Sequence, residues 1–120
     1  MKIIMFDIDN TIAITSDKKY HLSKPIKSKI NNINRLYRNG YIIKIFTARY
    51  MGKYNGDLKL INKKYFKKTF KQLNSWGLKF HELIMGKPLF DIYVDDKAYN
   101  AKDKKLLKIL KNLSQTKYSS

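Results

Sequence analysis

Apolar residues in this chain fall into two rhythms. Ile3–Phe6, Tyr41–Phe46, Glu82–Met85 and Phe90–Val94 are short runs rich in β-branched and aromatic residues. Runs of this kind, without clear alternation, read as buried strands of a parallel sheet. Between them, apolar residues recur at helical spacing: Ile26, Ile30, Ile33 and Tyr37, then Phe66, Phe70 and Leu73, then Leu106, Leu107, Leu110 and Leu113. The first helix opens at Ser23-Lys24-Pro25, with Ser23 as N-cap and Pro25 in the first turn, and closes at Asn39-Gly40. The second spans about Asn62 to Trp76 and stops at Gly77, and the third spans about Asn100 to Leu113. Residues 12–22 read as a loop or short hairpin with a turn at Ser16-Asp17. Tyr50–Leu60 is polar, turn-rich and longer than a minimal connection, which predicts a lid loop.

Strand, helix, strand in succession implies right-handed crossovers and parallel pairing. The expected fold is α/β: a Rossmann-like three-layer sandwich with a central parallel sheet of about four strands. With 120 residues, 43% of them hydrophobic, residues 1–120 form a single domain with no room for a cap. Residues 114–120 are expected to fray.

Composition narrows the setting. No apolar run approaches the roughly 20 residues of a membrane span. Asp7 and Asp9 interrupt any secretory leader. Cysteine is absent, which excludes disulfides and thiolate metal sites. A cytoplasmic protein without membrane contact is expected. The net charge is +17, which invites anionic partners. Of the 26 basic residues, however, only Arg35, Arg38 and Arg49 are arginine, the better bidentate phosphate reader. A solvated lysine surface explains the charge better than a polyanion groove, so nucleic acid is not the favoured partner.

The nine acids carry more information because they are few. Asp7 and Asp9 follow the first apolar run, and Asp95 and Asp96 follow the last. Thr47 ends the Tyr41 run, and Lys87 sits between Gly86 and Pro88 after Met85. Ligands of open α/β sheets bind at the carboxyl ends of the strands, where all these residues would meet. Carboxylates with a backbone carbonyl form a hard-oxygen site suited to Mg²⁺. A lysine and a threonine hydroxyl beside them can hold phosphate oxygens.

Here the chain resembles the haloacid dehalogenase-like superfamily of phosphatases. Four signatures stand in that family's order: DIDNT at 7–11, the Thr of IKIFTAR at 43–49, the Lys of GKP at 86–88, and the acidic pair of DIYVDD at 91–96. Residues 72–98 look like the small capless phosphatases of capsule and lipopolysaccharide biosynthesis. Asn10 stands where many members have Gly, and Asn tolerates a left-handed backbone. The resemblance implies Asp7 as nucleophile, Asp9 as general acid and then base, and Thr47 and Lys87 as catalytic. Thr47, Ala48, Arg49 and Lys87 would bind substrate. Mg²⁺ would be held by Asp7, the backbone carbonyl of Asp9, and Asp95, with Asp96 ligating through water or orienting Lys87. The implied activity is hydrolysis of a small phosphorylated substrate, a sugar phosphate, through an aspartyl-phosphate.

Each residue also has a plainer role. Thr47 could cap a backbone group, Lys87 could be a surface lysine, and Asp95-Asp96 could cap a helix. Asp91 starts a strand on this reading, Trp76 is core, and His21 and His81 are structural. Arg49, Tyr50 and Tyr54 divide equally between substrate contact and exposed loop. The runner-up activity is a phosphatase for nucleotides or nucleic acid ends. A receiver-type phospho-acceptor fits the order of acids poorly, and a polyanion-binding module leaves the acid pairs unexplained. A capless site needs a cover, and a neighbouring subunit in a homo-oligomer is one source.

Overall fold

The strand and helix signals condense into one small α/β fold. The computed structural model describes residues 2–115. Its strands are β1 (Ile3–Phe6), β2 (Ala13–Ile14), β3 (Lys24–Pro25), β4 (Ile42–Thr47) and β5 (Glu82–Met85). Its helices are α1 (Lys27–Arg38), α2 (Leu58–Ser75) and α3 (Lys104–Gln115). Helix α3 thus covers 114–115, and the rest of the expected tail lies outside the described residues.

The main sheet is parallel, in the order β1-β4-β5. Ile4 pairs with Ile43 and Phe6 with Ile45, while Ile45 pairs with Leu83 and Thr47 with Met85. Both crossovers step in one direction, so right-handed connections place α1 and α2 on the same face. Burial agrees. Phe6, Ile43, Ile45, Leu83 and Met85 point into the core with Ile30, Ile33 and Leu36 of α1 and Ile61 and Leu73 of α2. Helix α3 packs against α1 and buries Leu110. The other face is more open: Ile3 is 55% and Met5 54% exposed, and Lys44 pairs with Glu82 at 3.3 Å. No cap is inserted anywhere along the described chain.

Several boundaries shift, each for a local reason. Lys24-Pro25 does not open α1. It pairs antiparallel with β2, and the Ile26 N–H donates to the Ile12 carbonyl at 2.9 Å. Helix α1 therefore begins at Lys27, after Ile26, without a side-chain cap. The Ser23 hydroxyl is instead in contact with Thr15 at 2.6 Å. Helix α2 starts four residues early because Asp57 caps it, accepting from the Leu60 N–H at 3.2 Å. Phe70 is exposed at the helix surface, packed edge-on to Phe80, rather than buried. Leu107 likewise faces outward.

The sheet has three strands rather than about four. Phe90–Val94 forms no strand, and Ile92 and Val94 are exposed, the latter at 89%. Asp91, expected to start that strand, lies in a bend. Only Gly86–Leu89 separate β5 from this segment. A further parallel strand needs a crossover of about a dozen residues or more. His81 does play a structural part: it exchanges hydrogen bonds with the Ile43 backbone and stacks on Tyr37.

The one-sided core sets an expected contrast. Ile45→Ala, within the covered face, lowers the unfolding free energy by about 2–5 kcal/mol. Met5→Gln, on the open face, changes it by less than about 0.5 kcal/mol. Urea unfolding of the two variants measures both, and equal losses would contradict the burial pattern.

Candidate active site

Parallel pairing brings the carboxyl ends of β1, β4 and β5 to one edge, and each ends in a polar group. After β1 the chain turns sharply. The Ile8 carbonyl accepts from the N–H groups of Thr11, Ile12 and Ala13, and Asn10 takes φ 60°. That is the left-handed conformation its side chain tolerates. The turn leaves Asp7 and Asp9 half-buried on either side of the buried Ile8.

Asp7 faces the end of β5. Lys87 Nζ lies 3.9 Å from Asp7 Oδ2. The Gly86 and Lys87 N–H groups both donate to the Thr47 carbonyl, at 3.1 and 3.0 Å, which fixes the loop carrying Lys87 beside β4. Gly86 has φ 97°, and an added Cβ would meet Leu58 at 2.7 Å, so only glycine fits this turn. The ammonium also lies over the rings of Phe90 (5.4 Å) and Tyr93 (5.9 Å). Burial pushes the Asp7 carboxyl above the ordinary carboxylate range, and Asp9 nearby adds to this; Lys87, the Ile8 N–H and Thr11 pull it back.

Thr47 is buried, and its Oγ1 accepts from the Arg49 N–H at 3.1 Å. Ala48 follows, half-buried. Asp7, Thr47 and Lys87 thus share one edge across three adjacent strands.

Asp9 faces the other way, into a buried polar cluster. Arg49 grips it with both sides of its fork: Nε donates to Oδ2 at 2.9 Å and Nη2 to Oδ1 at 2.8 Å. The Thr15 hydroxyl donates to the same Oδ1. Arg49 itself is 2% exposed. Its Nη1 donates to Gln72 Oε1 at 2.6 Å and its Nη2 to Ser23 Oγ at 3.2 Å, and its guanidinium lies over the Tyr20 ring at 4.9 Å. Arg49 is therefore not an exposed loop residue. Thr15, Ser23 and Gln72, which complete the cluster, carry no motif in sequence; only a buried arginine demanding partners points to them.

The Tyr50–Leu60 segment is not a free lid. Tyr50 stacks on Tyr65 of α2 at 3.7 Å between centroids, and the Tyr54 and Tyr65 hydroxyls lie 2.7 Å apart. Burial raises the pKa of Tyr50 most, against the lowering effect of Arg49.

The acidic pair does not join this edge. Asp95 is exposed and accepts from the Tyr93 hydroxyl (2.9 Å) and the Lys97 N–H (2.7 Å), which lower its pKa. Asp96 is exposed too. Among the described residues no three His, Cys, Asp or Glu side chains gather as metal ligands would. The side chains of Asp7, Asp95 and Asp96, expected to meet around Mg²⁺ with the Asp9 carbonyl, are therefore not gathered in this arrangement. The cause is the missing fourth strand, which was to carry the pair to the edge.

No protein-family model matches the sequence, and no curated protein matches it. The fold is similar to the crystal structure of a structural-genomics target from Vibrio cholerae, with a TM-score of 0.77 and 27% identity. The match covers 96% of this chain and 98% of that one. The likeness concerns architecture.

The raised pKa of Asp7 has a consequence for stability. A carboxyl whose folded pKa exceeds its unfolded value binds more protons when folded, so stability falls as pH rises through that window. Asp7→Asn removes the penalty. At neutral pH the variant is expected to melt a few degrees higher than the wild type, and the gain disappears as pH falls below the ordinary carboxylate range. Thermal melts from pH 3 to 8 measure this; a variant less stable at pH 7 would contradict it.

Proposed function

We propose that this chain is a phosphomonoester hydrolase working through an aspartyl-phosphate on Asp7. One observation carries the reading: a half-desolvated carboxylate faces a lysine ammonium across three strand ends, with Thr47 between them. A phosphoryl group seated there meets a nucleophile on one side and a fixed positive charge on the other. Asp7 attacks phosphorus, and the bond to the leaving oxygen breaks as Asp9 supplies its proton. Water then attacks phosphorus, gives a proton to Asp9, and releases Asp7. Lys87 stabilises the charge on the phosphoryl oxygens throughout. Thr47 and the Ala48 amide would hold the remaining oxygens.

The resemblance to haloacid dehalogenase-like phosphatases supplies the order of roles. It also supplies the proposed substrate class, a sugar phosphate of surface polysaccharide biosynthesis, acted on in the cytoplasm. Mg²⁺ is the proposed cofactor, and a homo-oligomer is the proposed cover for a site without a cap. No helix among the described residues is long and apolar enough to cross a membrane.

Turnover of p-nitrophenyl phosphate and of a panel of sugar phosphates tests the reading. Asp7→Asn is expected to fall to the background rate, and Lys87→Ala to lose about 10²–10³-fold in kcat. Chelation by EDTA followed by magnesium titration tests the cofactor. Unchanged turnover in Asp7→Asn refutes the mechanism, and preference for oligonucleotide ends over sugar phosphates refutes the substrate class.

A further inference from the structure

Arg49 is the largest fully buried side chain among the described residues, and its charge is committed to one partner. Replacing a buried ion pair by apolar residues is often neutral or stabilising, so stability alone gives little reason for its presence. Its geometry gives a better one. A carboxylate offers about four lone-pair sites. On Asp9, Arg49 Nη2 and Thr15 occupy Oδ1, and Arg49 Nε occupies one side of Oδ2. One site remains, on Oδ2, and the Asp9 side chain keeps 20% exposure. Gln72 holds Nη1 and Ser23 shares Nη2, while Gln72 Nε2 is anchored to the Tyr20 carbonyl at 2.7 Å. The fork cannot rotate without breaking several bonds at once.

We propose that Arg49 is a positioning residue that locks the Asp9 carboxyl so that proton transfer takes place at Oδ2 alone. This rests on the role of Asp9 proposed above. In the first step the proton on Oδ2 passes to the leaving oxygen as its bond to phosphorus breaks and the Asp7–phosphorus bond forms. The negative charge left on Asp9 is met by a guanidinium already in place, with no reorganisation. In the second step water attacks phosphorus, its proton goes to Oδ2, and the Asp7–phosphorus bond breaks. Lysine cannot substitute, because an ammonium makes no planar two-point contact.

The test compares two leaving groups in Arg49→Met and Arg49→Lys. p-Nitrophenolate departs without needing a proton, whereas an alkyl alcohol needs one. With p-nitrophenyl phosphate both variants are expected to give a burst of about one product per enzyme, then slow steady turnover, because only the second step still needs Asp9. With glycerol phosphate the burst disappears and kcat falls about 10²–10³-fold, with KM within about threefold. Thr15→Val, which removes the third donor to Asp9, is expected to shift both substrates the same way by a smaller factor, and it serves if the arginine variants do not fold. Equal losses on both substrates in both phases, or an unchanged kcat, overturn the positioning role while leaving the phosphatase reading intact. A wild type inactive on every phosphate monoester overturns both.

Discussion

A guanidinium withdrawn from water must find partners for its donors, and the structure around Arg49 is arranged to meet that demand. Its partners come from three separate stretches: Asp9 beyond β1, Tyr20 and Ser23 ahead of β3, and Gln72 on α2. Each hydrogen bond ties one of these stretches to the end of β4. The short β2–β3 ribbon has little apolar surface of its own, and a two-stranded ribbon is marginal in isolation. Ala13 anchors it in the core, and Thr15 and Ser23 add a polar attachment by reaching the same ion pair. The buried pair therefore links the fold of the irregular segments to the orientation of one carboxylate.

Two aspartates two residues apart end in unlike surroundings. Asp9 is neutralised at contact distance by a buried arginine and a threonine. Asp7 has a lysine at 3.9 Å, with the Ile8 N–H and Thr11 as weaker partners, and burial is the largest influence on its titration. Ile8 between them is buried, and the two carboxyls meet different partners: Lys87 at the end of β5 for Asp7, Arg49 at the end of β4 for Asp9. Carboxylates placed in contrasting environments are suited to different chemical parts, one to attack and one to carry a proton. The desolvation that costs Asp7 stability is the same feature that would sharpen it as a nucleophile, a trade seen wherever function needs a strained site.

The parts of the fold that rest on local periodicity are legible in the chain. β1, β4, β5 and all three helices lie within a few residues of where apolar spacing puts them. The convergence of Asp7, Thr47 and Lys87 is legible as well, because parallel pairing necessarily aligns strand ends. Long-range competition decides the rest. Ser23 looks like a cap, but Thr15 and Arg49 hold its hydroxyl. Arg49 looks like a loop residue, yet the side chains of Asp9, Tyr20, Ser23 and Gln72, all distant in sequence, surround it.

Phe90–Val94 marks the boundary between the two kinds of information. Its apolar composition matches a strand, and composition is all that a linear reading weighs. Whether a strand can join a parallel sheet depends on the length of chain available to cross it, and Gly86–Leu89 is too short. Asp95 and Asp96 consequently stay in solvent instead of reaching Asp7. The sequence by itself determined β1, β4, β5 and the three helices and set Asp7, Thr47 and Lys87 at strand ends, since hydrophobic period and turn residues act over a few positions. Only the tertiary structure decided which carboxylate is paired, which is left partly dry and which remains outside, because those outcomes depend on distances across the fold that no local pattern encodes.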